Sequence, residues 1–229
     1  MKNIPALDPK VLGLVTEISK EPKVEAAIAF IKDQTEVAML EQIELCEIEA
    51  PTFHEEKRAA SVAERMRQYG LTDVHIDEIG NVIGIRKGSG NGPVLAIGAH
   101  MDSVFPAGTD VKVKKEGNIY RAPGIGDNCS GLRALLQVLR ALEKEDIRTV
   151  GDVWFVGTVG EEGNGDIRGS KHLCANNKLD GFVAIDSTDV GRVLYGAVGS
   201  HRWRLAVDGT GGHSFADFGK TPSAIHAVC

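Results

Sequence analysis

Hydrophobic spacing along the chain switches repeatedly between a helical and an extended period. Residues 24–49 lack proline and are rich in Ala, Glu, Ile and Leu, which predicts a helix. Thr52 followed by Glu55 has the spacing of a capping box and predicts a second helix opening there. Ala59, Val62, Ala63, Met66 and Tyr69 fall on one face of it, and Gly70 ends it. Residues 74–88 read as paired strands and 94–99 as a further strand. GLRALLQVLRALEK (131–144) is strongly amphipathic, with Leu132, Leu135, Leu136, Leu139 and Leu142 in one stripe. Residues 152–159 and 181–186 read as buried strands. SHRWRLAVD (200–208) alternates, with Trp203, Leu205 and Val207 facing one way, and predicts a half-exposed strand. Strands alternating with helices predict an α/β fold whose sheet is covered on both faces.

Composition narrows the class without changing the fold. The 229 residues suffice for one large domain or one and a half ordinary ones, and 42% hydrophobic residues supply a sizeable core. A net charge of −6 offers no electrostatic footprint for nucleic acid or an anionic membrane. The N-terminal stretch MKNIPALDPKVLG lacks the apolar core of a signal peptide, and AAIAFI (26–31) is too short to span a bilayer. Cys46, Cys129, Cys174 and Cys229 form no CxxC pair, which fits inert thiols in a reducing cytoplasm. There is no internal repeat or low-complexity tract.

Three of the apolar runs end in chemistry. Strand 94–99 runs into His100 with Asp102 two positions on; strand 153–159 runs into Glu161 and Glu162; strand 182–185 ends at Asp186. Open α/β sheets bind ligands at the carboxyl ends of their strands. A further acid, Asp127, sits in the glycine-rich stretch APGIGDNCSG ahead of helix 131–144, where a helix N-terminus favours negative charge or where Asp127 serves as the cap. The acid replaces what a phosphate loop would leave open, so phosphate binding is excluded there. Gathering these carboxylates at one edge is costly unless a cation reverses the repulsion. Imidazole and carboxylate without thiolate suit Zn²⁺, with Mn²⁺ or Co²⁺ as alternatives. The number of ligands exceeds what one open zinc site needs, which predicts two metals bridged by a carboxylate. Asp102 is placed to accept the other ring N–H of His100. Of the adjacent glutamates, one is free to ligate while its neighbour serves as proton acceptor.

Taken together, PTFHEEKRA (51–59), GAHMDSV (98–104), PGIGDNCSG (123–131), GTVGEEGNGDIRGSKHL (157–173), VAIDS (183–187) and GSHRWRLAVDGTGGHSFADFG (199–219) resemble the di-zinc exopeptidases and deacylases grouped with peptidase T, carboxypeptidase G and aminoacylase, and the peptidase T-like branch most of all. The resemblance implies a mixed, mostly parallel sheet with helices on both faces over 1–198, followed by the start of an α+β lid and dimerisation domain over 199–229. It implies that His100 and Asp186 hold one metal, Glu162 the other, and Asp127 bridges them. Glu161 becomes the general base and Asp102 orients His100. His213 becomes a lid residue that reaches the partner subunit's site in a homodimer and polarises the scissile carbonyl. Family members usually carry an acid and a lysine after the bridging Asp, where this chain has Asn128 and Cys129. They also continue past the point corresponding to Cys229 and supply a last metal-binding histidine; His226 is no match for it. The chain therefore reads as an N-terminal fragment, expected to be inactive alone. The activity implied is hydrolysis of amide bonds in short peptides by a cytoplasmic aminopeptidase or tripeptidase. The alternatives are an N-acyl amino acid deacylase or carboxypeptidase of the same family, and a non-catalytic metal-binding or dimerising module.

Overall fold

The computed structural model describes residues 8–186, 191–196, 199, 201 and 203–228. Contacts divide the chain into two compact units, Met1–Val190 and Gly191–Cys229.

The first unit opens with three helices, α1 (Pro9–Ile18), α2 (Pro22–Asp33) and α3 (Thr35–Cys46). Asp8 caps α1 by accepting from the Lys10 N–H at 2.8 Å, and Pro9 occupies the first turn, where a missing N–H costs nothing. The single helix expected over 24–49 is thus two. They break at Gln34, whose φ of −91° and ψ of 14° leave the helical region. Asp33 and Thr35, both weak helix formers, flank the break.

Helix α4 (Glu56–Gln68) buries Ala59, Val62, Ala63 and Met66, the expected face, and Gly70 follows it at φ 104°. The capping box expected at Thr52 and Glu55 is not formed. Glu55 makes no side-chain bond to the first turn, and Thr52 donates instead to Asp102, 50 residues away in sequence.

Among the described residues seven strands follow: β1 (Asp73–Ile76), β2 (Val82–Arg86), β3 (Leu95–His100), β4 (Lys114–Glu116), β5 (Ile119–Arg121), β6 (Val153–Thr158) and β7 (Gly181–Ala184). Helix α5 (Cys129–Lys144) precedes β6, and α6 (Arg168–Asn176) lies between β6 and β7. The main sheet has the order β1-β2-β6-β3-β7, and β4 and β5 form a separate hairpin. β3 pairs in parallel with both β6 and β7, while β2 runs antiparallel to β6 and β1 antiparallel to β2. Four of the five strands therefore point the same way, and the sheet is mixed but mostly parallel. Alternate residues serve opposite faces. Val82, Ala99 and Phe155 pack with Leu132, Leu135, Leu136 and Leu139 of α5 and with Val62 and Met66 of α4. On the other face Ile83, Ala96 and Val156 pack against Leu173 of α6.

One buried cation pins the end of β3. Arg58 on α4 donates to the carbonyls of Met101 at 2.7 Å, Ile48 at 2.5 Å and Cys46 at 3.4 Å, and is 2% exposed. It ties the residue between His100 and Asp102 to the segment following α3. Arg58→Ala is expected to destabilise the protein by about 3–5 kcal/mol, because it leaves three carbonyls unpaired around a void. Urea denaturation checks this; a loss below about 1 kcal/mol would show that these carbonyls find other partners.

In the second unit, Ala224–Val228 forms the short helix α7. The strand expected over 200–208 is absent among the described residues; Ser200 and Arg202 lie outside them. Trp203 is 91% exposed. Alternation marks a face that seeks cover, but a strand also needs a neighbouring backbone to pair with, and no described segment pairs there. No described helix is long and apolar enough to cross a membrane.

Candidate metal centre

Because β3, β6 and β7 are mutually parallel, their carboxyl ends share one edge of the sheet. His100 is the last residue of β3. Glu161 and Glu162 follow β6 by three and four residues, and Asp186 follows β7 by two. Asp127 reaches the same edge from the turn before α5. His100 Nε2 lies 3.0 Å from Asp127 Oδ1 and 3.9 Å from Asp186 Oδ1. One ligand atom each from His100, Asp127 and Glu162 lies within 4.8 Å of the others. Asp186 is thus beside His100 but outside that tight trio.

Asp127 does not cap α5; its neighbour does. Asn128 Oδ1 accepts from the Gly131 N–H at 3.0 Å, and its Nδ2 donates to the Ile185 carbonyl at 2.9 Å. A Cβ on Gly131 would lie 2.2 Å from Asn128 Oδ1 and 2.5 Å from the Ile185 oxygen, so only glycine fits. Asn128 therefore fastens the turn carrying Asp127 to the strand end carrying Asp186. This gives a structural reason for one of the two residues that depart from the family pattern. Cys129, the other, is buried in the core beside Cys46. Its thiol is held below the usual range, chiefly by its hydrogen bond with Cys46.

Asp102 is fully buried. The nearest acceptor to His100 Nδ1 is the backbone carbonyl of Asp102, at 3.1 Å; the carboxylate Oδ1 stands at 3.5 Å. Orientation of the ring thus comes from the whole residue rather than from the carboxylate alone. That carboxylate takes three shorter bonds elsewhere. Its Oδ1 accepts from the Glu161 N–H at 2.9 Å, and its Oδ2 from the Glu162 N–H at 3.0 Å and the Thr52 hydroxyl at 2.9 Å. Burial opposes its charge, yet these bonds and that of His100 hold its pKa down at about 2.

The electrostatics are those of acids crowded around one imidazole. Burial raises the pKa of Glu161, helped by the charges of Asp186, Asp102 and Asp127 and opposed by His100. Burial also raises that of Glu162, helped by Asp127 and Glu161. Burial disfavours a charged His100, but the hydrogen bond and charge of Asp102, with the charges of Asp186 and Glu161, outweigh it and lift its pKa to about 9. A divalent cation fits this donor set: it would satisfy the imidazole and neutralise the acids at once.

A pH dependence follows for the metal-free protein. His100 is raised above its ordinary 6.5, so its contribution to stability is fully present below that value and is lost as pH rises through about 9. At pH 7 it must release a proton to ligate a metal. Zinc binding is therefore expected to eject protons near neutrality and to tighten as pH rises towards 9. Calorimetric titration in buffers of different ionisation enthalpy reads this directly; no proton release at pH 7 would contradict it.

His213 lies in the second unit. Its Nδ1 accepts from the Phe215 and Ala216 N–H groups at 3.3 and 3.2 Å. Its own N–H donates to Asp217 Oδ2 at 2.8 Å. In the neutral ring the proton then sits on Nε2, leaving an outward donor on an exposed side chain. The sequence reading missed the roles of Arg58, Asn128 and Glu55: Arg58 stood unremarked within PTFHEEKRA, Asn128 was named only as a departure from the family pattern, and Glu55 was read as part of a capping box.

Fold and site together define an α/β protein with a candidate metal centre at the carboxyl edge of its sheet. The model for Peptidase family M20/M25/M40 matches residues 96–216, just over half the chain. The chain belongs to that family. Among solved structures, a tripeptidase from Staphylococcus aureus is similar at 30% identity and TM-score 0.55, covering 66% of this chain and 43% of its own. The aminopeptidase PepT from Bacillus cereus shares the fold at TM-score 0.56 and 24% identity, with coverage of 66% and 43%. The Bacillus subtilis protein YqjE, itself uncharacterised, is 29% identical over 205 residues, 83% of this chain and 54% of its own. A Pyrococcus abyssi protein provisionally named a LysW-lysine/LysW-ornithine hydrolase is 36% identical over 120 residues, 52% of this chain and 32% of its own. The chain thus spans about half or less of the length of these curated relatives. The expected family and the expected fold class both stand.

Proposed function

We propose that this chain carries the metal-binding part of an exopeptidase that hydrolyses amide bonds in short peptides, removing residues from a free N-terminus. The observation that carries the reading is the convergence of His100, Asp127 and Glu162 within 4.8 Å, beside a second glutamate, in a member of a peptidase family. Likeness to a tripeptidase at 30% identity favours peptides over other amides.

In this reading His100, Asp127, Glu162 and Asp186 would hold two divalent ions, with Asp127 as the ligand common to both and zinc the first choice. When bound, such ions supply Lewis acidity, which polarises a carbonyl and acidifies water. Glu161 then takes the proton from the attacking water and gives it to the leaving amine. Its raised pKa brings it closer to neutrality, as a group that both takes and returns a proton requires. Asp102 keeps His100 oriented and holds the backbone of both glutamates. His213 offers its Nε2–H to the scissile carbonyl of a site in a dimer partner.

Chelator-treated full-length protein, resupplied with Zn²⁺, Mn²⁺ or Co²⁺ and given unblocked tripeptides and N-acetyl amino acids, tests the proposal. Metal-restored release of the N-terminal residue supports it. Hydrolysis of the N-acetyl compounds with tripeptides left intact would move the assignment to a deacylase. Metal binding with neither substrate cleaved would favour a non-catalytic module.

A further inference from the structure

The loop presenting the two glutamates is held through its backbone. Three consecutive amides, those of Gly160, Glu161 and Glu162, donate to two buried carboxylates. Glu55 Oε1 takes the Gly160 N–H at 2.9 Å, and Asp102 takes the next two. Glu55 is 3% exposed and is itself gripped by Arg168, whose Nη2 lies 3.0 Å from both carboxylate oxygens. Arg168 Nη1 donates to the Ile79 carbonyl at 3.0 Å, and its backbone N–H to Gly160 O at 3.1 Å. Gly160 has φ 60°, and a Cβ there would fall 2.5 Å from Arg168 Nε, so the turn closes tightly on the arginine. Thr52, three residues before Glu55, completes the set by donating to Asp102. The backbone leading into this segment is tied down as well: Ser103 N–H donates to Ala50 O at 2.9 Å, and a turn bond from His54 N–H to Pro51 O at 2.8 Å follows.

We infer that Thr52 and Glu55 are positioning residues: the segment they bracket is a strap that fixes the 160–162 backbone, and so decides which glutamate faces the metal ligands and which stays free for proton transfer. The inference rests on the metal-centre reading above. Successive side chains diverge from a fixed backbone, so a rotation of this loop would interchange or misplace the two. Charge-assisted bonds to buried carboxylates are the strong ones, and outer partners of metal ligands typically change affinity 10–100-fold when lost.

Cobalt(II) titration of the full-length protein, followed by visible absorption, tests the strap, with thermal unfolding of the metal-free protein as the structural control. Thr52→Val, which keeps the shape and removes the hydroxyl, is expected to weaken cobalt binding about 10-fold and to alter the absorption bands. Thr52→Ser is expected to bind as the wild type does. Glu55→Gln is expected to weaken binding 10-fold or more. Wild-type affinity and spectrum in Thr52→Val would overturn the strap, as would equal losses in Thr52→Val and Thr52→Ser. A loss matched by collapse of the metal-free protein in every variant would also overturn it. Wild-type protein that takes up no cobalt would instead bring down the metal-centre reading, and the strap with it.

Discussion

Glu161→Gln is expected to lower kcat of the full-length protein about 10²–10⁴-fold, the range general acid–base catalysis supplies, while leaving metal content unchanged. The substitution keeps size and shape. The backbone N–H of residue 161 stays on Asp102 Oδ1 at 2.9 Å, so the side chain is still delivered to the same place. What is lost is the capacity to take a proton and hand it on. The trio of His100, Asp127 and Glu162 is untouched, so KM is expected to change little and the deficit to fall on kcat. Parallel steady-state kinetics and elemental analysis check both halves. A variant that loses metal would mean that Glu161 ligates and that the division of the glutamate pair is reversed.

Asp127→Asn is expected to weaken metal binding more than about 100-fold, beyond what loss of an outer partner does. Asp127 Oδ1 lies 3.0 Å from His100 Nε2, and its charge is among those that raise the pKa of Glu162. It is the group common to both proposed ions. The amide keeps the shape but surrenders the charge and one good oxygen donor, so both ions should suffer together. Calorimetric titration should show the stoichiometry fall rather than one affinity fall alone. Loss of a single ion, with the other bound at wild-type strength, would remove Asp127 from the bridging role.

Much of the fold was legible because one face of each element is buried. The leucine stripe of α5, the apolar face of α4 and the runs that became β3, β6 and β7 all follow from periodicity. The parallel pairing of those strands then accounts for His100, Glu161, Glu162 and Asp186 arriving at one edge. What escaped was polar and long-range. Thr52 and Glu55 have the spacing of a local cap, but their partners are Asp102, Gly160 and Arg168, and no local pattern discloses a bond across 50 to 113 residues. Asn128 was legible only as a departure from a family pattern, although an Asn opening a helix is an ordinary cap. Helix α1, the β4–β5 hairpin and α6 went unread: α1 buries no residue, the strands of the hairpin are three residues each, and α6 buries only Gly169 and Leu173. Short or surface-lying elements carry little hydrophobic signal. Over 200–208 the error ran the other way, since alternation was present without a partner strand among the described residues.

Anomalous diffraction from zinc-loaded crystals tests the metal centre most directly. A peak about 2.0–2.2 Å from His100 Nε2 and from carboxylate oxygens of Asp127 or Glu162 is the predicted result, with Asp127 contacting both peaks if two are present. Zinc bound at full occupancy elsewhere, with these three side chains free of it, would contradict the assignment.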